Sequence, residues 1–343
     1  MSLLLFFPQV SSVFKPHHWT GSMNVHNPPL YSTISRCEYK PDIFDYKLVV
    51  PSIIEVANYP KHTHSFSDLI DLRSLDLLSK QEPCFILYSG GVDSTGLMVS
   101  IMKNWSREDQ KRVTVVCTPQ SYYEFPEFFK VLNKNFTIEL CKNSYKTYTN
   151  RGILVTGIQA DLLFPHSWWQ DKAWDLGEDV VFGNYRDKMP LLFEYMFPKF
   201  GKKVFEYYHE IVVNPVFEIN NVADFCYWFW FSQYYQKVAL LLWQTKGAIE
   251  DKPIFDRIFN FYDWPMFETW SISNAKSIVT SELPLVKKSL KDYIVQYTHL
   301  TDYYYKPKVP SNGNTHSGNR YNIGLDEDWN LISMQESLKY LKN

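Results

Sequence analysis

The chain has no surplus of charge of either sign: its 343 residues carry 35 Lys and Arg against 37 Asp and Glu, a formal net charge of −2. A broad nucleic-acid footprint needs a clear cationic excess to displace counterions, so the balance argues against a nucleic-acid polymer as partner. Cysteine is sparse as well. The five, Cys37, Cys84, Cys117, Cys141 and Cys226, are dispersed with no C-x-x-C pair, which excludes a zinc knuckle, a redox dithiol and a disulfide framework and fits a reducing, cytoplasmic compartment. Long uninterrupted apolar runs are missing too. The opening Ser2–Phe7 stretch lacks a basic flank and runs into Pro8, so it reads as a buried strand rather than a leader. Phe225 to Trp243 is interrupted by Ser232, Gln233, Gln236 and Lys237, which reads as a buried helix and not a membrane span. There is no internal repeat and no low-complexity tract.

What the chain does have is apolar mass: 45% hydrophobic residues and only 21% charged, enough for a folded core in a length of two or three domains. Aromatics make up 17%, read mainly as large core side chains. Residues 1–64 are rich in Pro, His and Ser with short β-like runs, and predict a small β-rich N-terminal segment. His17-His18 and His62-Thr63-His64 within it are read as surface histidines rather than a metal site. From Ser65 the apolar residues recur at helical spacing, with Ser67 as the expected N-cap and an end near Pro83. Buried-type runs then alternate with helices: Cys84–Tyr88, Arg112–Thr118, Phe136–Leu140 and Ile153–Gly157. Four strands joined by crossovers predict an α/β domain with a doubly wound parallel sheet over residues 65–200 and ligands at the carboxyl ends of its strands. Residues 201–343 read as a mainly helical part that completes the site.

Between the first strand and its helix stands Ser89-Gly90-Gly91-Val92-Asp93-Ser94, followed by Thr95. Paired glycines let backbone N–H groups approach an anion, and the hydroxyls of Ser89, Ser94 and Thr95 offer donors. The helix start adds partial positive charge. Asp93 is out of place among so many anion-seeking groups unless it holds Mg²⁺ that bridges phosphates.

This stretch resembles the S-G-G-x-D-S loop of the PP-loop ATP pyrophosphatases (adenine nucleotide α-hydrolase-like fold), which split ATP into AMP and pyrophosphate. Thr156-Gly157-Ile158-Gln159-Ala160-Asp161-Leu162-Leu163-Phe164 is similar to the second motif of their asparagine synthetase and β-lactam synthetase group. Carried over, Asp161 joins Asp93 around Mg²⁺. Gly157 and Cys117, each at the end of a strand, join the loop residues as nucleotide-binding positions. Phe261-Tyr262-Asp263 resembles the group's P-F-L-D element, and Lys287-Lys288-Ser289-Leu290-Lys291 its K-x-x-L-K/R segment, whose first lysine faces pyrophosphate. Tyr305-Lys306-Pro307-Lys308 leads into Ser311-Asn312-Gly313-Asn314 where the group has a lysine on a mobile loop, so Lys306 or Lys308 is expected to stabilise charge in the second half-reaction.

The resemblance, over about residues 65–320, implies an ATP- and Mg²⁺-dependent ligase that adenylates a small-molecule carboxylate and passes the acyl group to ammonia or an amine. A PP-loop synthase acting on a nucleobase or nucleotide, and a non-catalytic ATP-binding relative, are the competing readings. Two departures stand out. Ile158 occupies the place of the group's proton-transferring glutamate or tyrosine, leaving Glu194, Asp171 or Glu178 as candidate bases, and Gln159 replaces a glycine. Only 88 residues precede Ser89, too few for the group's glutaminase domain, so free ammonia, a substrate amine, or a separate glutaminase or modification-pathway enzyme is the expected source. Trp168-Trp169 and Trp174, just after the second motif, are candidates for a lid over the cleft.

Overall fold

A computed structural model describes residues 63–141, 146–165, 168–196, 217–233, 257–281 and 285–305, isolated positions between 202 and 215, and two short strands at 323–325 and 331–333. In chain order the main elements are α1 (Phe66–Ser79), β1 (Cys84–Tyr88), α2 (Val92–Asn104), β2 (Val113–Cys117), α3 (Pro119–Glu124) and α4 (Pro126–Asn135). They continue with β3 (Thr137–Leu140), β4 (Ile153–Thr156), α5 (Ala160–Leu163), α6 (Trp168–Leu176), α7 (Glu178–Val181), α8 (Tyr185–Met196) and α9 (Val222–Gln233). Last come β5 (Ile258–Asn260), α10 (Pro265–Ser273), α11 (Ala275–Val279), α12 (Lys288–Thr298), a 3₁₀ turn at Thr301–Tyr305, and the antiparallel pair β6 (Ile323–Leu325) and β7 (Leu331–Ser333). The expected N-terminal segment, apart from Thr63 and His64, lies outside the described residues, as do Lys306, Lys308 and the 311–314 loop.

The chain divides into two compact units whose segments interleave, and each is taken by itself. The first runs over His64–Ile158 and resumes in Lys246–Tyr262 and from Lys288 onward. It is built on a five-stranded sheet, parallel throughout, in the order β3-β2-β1-β4-β5. The central strand β1 is apolar along its length because it is flanked on both sides, pairing Phe85 with Thr114 of β2 and with Leu154 of β4. The order reverses between β1 and β4, the point where a parallel α/β sheet opens a crevice at its carboxyl edge. The four expected strands are present. The fifth, Ile258–Asn260, went unpredicted because a three-residue run carries no periodicity.

Helix α1 starts two residues earlier than expected. Ser65, not Ser67, is the N-cap, in a capping box with Asp68. Helices α1, α2 and α12 pack together as one layer. Gly96 of α2 permits this, since a Cβ there would lie 2.4 Å from Leu290 Cδ1 of α12. Asp71 of α1 ties the layer, accepting from Tyr293, Lys103 and Asn104.

The second unit, comprising Gln159–Thr245 and Asp263–Lys287, is an aromatic-rich helical assembly. Helix α9 is apolar all round and buried, as read from sequence, with Phe225, Tyr227, Trp228 and Phe231 at its centre. Trp169 is not a lid: it is buried in this core, its ring 4.7 Å from Phe229 and 4.9 Å from Phe193 between centroids. Trp174 packs against the same cluster. Among the described residues no helix is long and apolar enough to cross a membrane; Cys84, Cys117 and Cys226 are buried and Cys141 is half-buried.

Trp228 is fully buried, yet its indole N–H has no hydrogen-bond partner. Trp228→Ala is expected to destabilise the protein by about 3–5 kcal/mol through lost contacts and a cavity. Trp228→Phe, which also removes the orphaned donor, should cost less than half as much; urea unfolding of both variants checks the difference.

Candidate phosphate loop and the Asp161–Lys287 pair

At the carboxyl end of β1 the chain must turn sharply into α2. Gly90 makes the turn with φ +83°, a backbone conformation that side chains resist. It also has no room for one: a Cβ at Gly90 would lie 2.4 Å from the Ser121 carbonyl oxygen and 2.5 Å from Glu124 Cβ, both on α3. The turn is therefore wedged against the element that follows the neighbouring strand.

Gly91 is the N-cap of α2 and has no side chain to cap it, so no side chain of the cap takes the first-turn N–H groups. The loop is fastened by its own hydroxyls. Ser94 Oγ donates to the Gly91 carbonyl at 3.1 Å, accepts from Ser89 N–H at 3.2 Å and lies 3.2 Å from Ser89 Oγ. Thr95, 0% exposed, donates to the Gly90 carbonyl at 3.4 Å, within 3.5 Å of the Tyr88 hydroxyl. Ser94 and Thr95 thus use their protons inside the loop, and Ser89 is the hydroxyl at the surface. Asp93 is half-buried in the first turn of α2.

Two residues distant in sequence support this turn. Gly157, just past β4, approaches so closely that a Cβ would be 3.2–3.3 Å from the backbone of Asp93 and Ser94; its glycine identity is explained by this approach. Tyr262, buried after β5, donates its hydroxyl to the Asp93 carbonyl at 2.9 Å. Burial, with the Asp93 charge second, holds that phenol well above the ordinary tyrosine value, so it remains a donor.

Cys117 ends β2 with its thiol buried and its carbonyl accepting from Cys141 N–H at 2.8 Å. Burial pushes the thiol up to about 12, so it is not a nucleophile at neutral pH. Glu124 was missed from sequence. It is 6% exposed, packs on Gly90, and lies in a Tyr-Tyr-Glu-Phe run with no motif to flag it. Beside it Phe125 stacks on Tyr303, centroids 4.4 Å apart, in the 3₁₀ turn that ends at Tyr305, just before Lys306.

In the second unit, the structure brings together two candidates 126 residues apart: Lys287 Nζ donates to Asp161 Oδ1 at 2.5 Å. Asp161 is in the first turn of α5 and its side chain is 57% exposed, whereas that of Lys287 is 10% exposed. Lys287 has φ +59°, a left-handed backbone that a lysine adopts only when its surroundings fix it. Gln159, which precedes α5, is 2% exposed, and neither its Oε1 nor its Nε2 has a hydrogen-bond partner among the described residues. Glu194 is exposed on α8 and makes no hydrogen bond or ion pair among the described residues. Asp93 and Asp161 belong to different units. Ile158 is half-buried, its N–H donating to Thr156 Oγ1 at 3.2 Å.

No group of three or more His, Cys, Asp or Glu among the described residues is arranged to hold a metal unaided. That is compatible with Mg²⁺, which is commonly held by one or two carboxylates plus substrate phosphates. The chain matches no protein-family model and no curated protein.

Because Gly90 is needed both for its φ and for its missing Cβ, Gly90→Ala is expected to destabilise the protein by about 2–4 kcal/mol, combining left-handed strain with overlap against the Ser121 backbone. Gly91→Ala, where the nearest atom is Ser89 Oγ at 3.3 Å, should cost about 1 kcal/mol or less. Thermal unfolding of the two variants side by side checks the contrast.

Proposed function

We propose that the chain is an ATP-dependent ligase of the PP-loop type, which adenylates a small-molecule carboxylate, releases pyrophosphate and passes the acyl group to ammonia or an amine. The observation that carries the reading is the Ser89–Ser94 turn, held open at an uncapped helix start where the order of a parallel sheet reverses. Such a place offers backbone N–H groups and partial positive charge to an anion.

In this reading the first-turn amides of α2 and the Ser89 hydroxyl hold the phosphates. The substrate carboxylate attacks the α-phosphorus, and the bond to the leaving pyrophosphate breaks. Asp93 and Asp161 are the hard oxygen donors that would hold Mg²⁺, and the bound ion would neutralise charge on phosphate oxygens. Lys287 carries the cation assigned to pyrophosphate. Its pairing with Asp161 fixes the ammonium in place, and fixed charge of this kind opposes charge that develops as the bond breaks. Tyr262 acts through the loop as a positioning residue, since it holds the Asp93 backbone. Lys306 and Lys308 remain the residues proposed to oppose charge in the amine step. Ile158 supports a second reading, nucleotide binding without turnover, because it can move no proton.

A pyrophosphate-release assay on the full chain with Mg²⁺ and ATP, run against amino acids and nucleotide carboxylates, separates these. The ligase reading expects release stimulated by one substrate class, with Asp93→Asn lowering it at least about 100-fold at an unchanged unfolding midpoint. Full release by Asp93→Asn would refute the role given to that carboxylate, and nucleotide binding without release would favour the second reading.

A further inference from the structure

Within the Ser89–Ser94 turn, the peptide unit that joins Gly90 to Gly91 is held at both of its ends. Its carbonyl accepts from Thr95 Oγ1 at 3.4 Å, and its N–H donates to Ser89 Oγ at 3.3 Å. Thr95 is fully buried and Ser89 is at the surface, so the carbonyl is aimed inward and the N–H outward. A peptide flanked by two glycines meets little steric resistance to turning over, and its direction depends on these contacts.

Thr95 gives its one proton to the Gly90 carbonyl, which leaves its lone pairs to accept. Two buried phenols are in reach. Tyr88, the last residue of β1, has its hydroxyl 3.5 Å away. Tyr303 shares a side-chain hydrogen bond with Thr95 and comes from the 3₁₀ turn after α12, far along the chain but in the same compact unit. Its ring stacks on Phe125, at the end of the helix that overlies Gly90. Burial, with Tyr88 second, holds the Tyr303 phenol well above the ordinary tyrosine value, so it keeps its proton and remains a donor.

The outer end of the peptide bears on Ser89. Ser94 uses its proton on the Gly91 carbonyl, so the proton in the contact between the two serine hydroxyls is that of Ser89. With the Gly91 N–H occupying one of its lone pairs, Ser89 has a proton to redirect to a ligand. We propose that Tyr303 is a positioning residue for phosphate: through Thr95 it fixes the Gly90–Gly91 peptide, and the Gly91 N–H in turn sets Ser89 Oγ to donate to a phosphate oxygen. A peptide turned over would present its carbonyl outward and oppose an anion. This rests on the ATP reading of the loop and adds to it a residue that no motif marks.

The test is a double-mutant cycle on the full chain with Mg²⁺, in which calorimetry gives the dissociation constant for ATP. Tyr303→Phe keeps the ring on Phe125 and removes only the hydroxyl. It should remain folded and bind ATP about 3- to 10-fold more weakly than the wild type. In a Ser89→Ala background the same change should alter affinity by less than about 2-fold, because the two residues act along one chain of contacts. A merely structural tyrosine would weaken binding equally in both backgrounds. That result, or equal binding by the wild type and Tyr303→Phe, overturns the inference while the ATP reading stands. Should Tyr303→Phe fail to fold, Thr95→Val, which is similar in shape, carries the same expectation and the same refutation. If the wild type binds no ATP, both readings fall together.

Discussion

The fit of Gly90 against α3 is the constraint on which the candidate site depends. The chain can leave β1 for α2 only by passing through a left-handed residue with no side chain, directly under the Ser121 carbonyl and Glu124. Everything around it is arranged to keep that turn. Ser94 and Thr95 fasten it from inside with hydrogen bonds to Gly91 and Gly90. Gly157 closes on it from β4, and Tyr262 reaches it from beyond β5. A loop held on so many sides keeps its amides in one geometry, which is what binding a flexible, highly charged anion requires.

The second unit contributes a different kind of order. Asp161 and Lys287 come from motifs far apart in the chain, and their ion pair is partly exposed, so its contribution to stability is small. Its value lies in placing a cation and a carboxylate together on a backbone held at φ +59°. The left-handed backbone at Lys287 is shared by Gln81 and His299, while the amide of Gln159 is buried with neither its donor nor its acceptor satisfied among the described residues.

Much of the parallel sheet could be read from the residues. Cys84–Tyr88 was placed to the residue, and the other three expected strands to within one residue at either end, because runs of β-branched and apolar residues between helices leave little choice. The Ser89–Ser94 stretch was legible as a strand-to-helix turn, since paired glycines between a buried-type run and a helical pattern mark such a junction. What escaped was long-range. The short β5 strand has no pattern of its own and exists because β4 offers it an edge. Glu124 and Tyr262 matter only through their contact with the turn, which no local signal announces. Ser94 and Thr95, read from sequence as phosphate donors, have hydroxyls within hydrogen-bond distance of the Gly91 and Gly90 carbonyls, contacts that no local pattern announces. Trp169 looks like a lid because it follows a motif, and burial against Phe193 and Phe229 makes it core.

The central claim is that the Ser89–Ser94 turn holds the phosphates of ATP. A crystal structure of the full chain with Mg²⁺ and a non-hydrolysable ATP analogue tests it most directly. The account predicts phosphate oxygens within hydrogen-bond distance of the first-turn amides of α2 and of Ser89, with Asp93 facing the metal. A nucleotide ordered at some other place in the molecule, with the turn unchanged and bare, would contradict it.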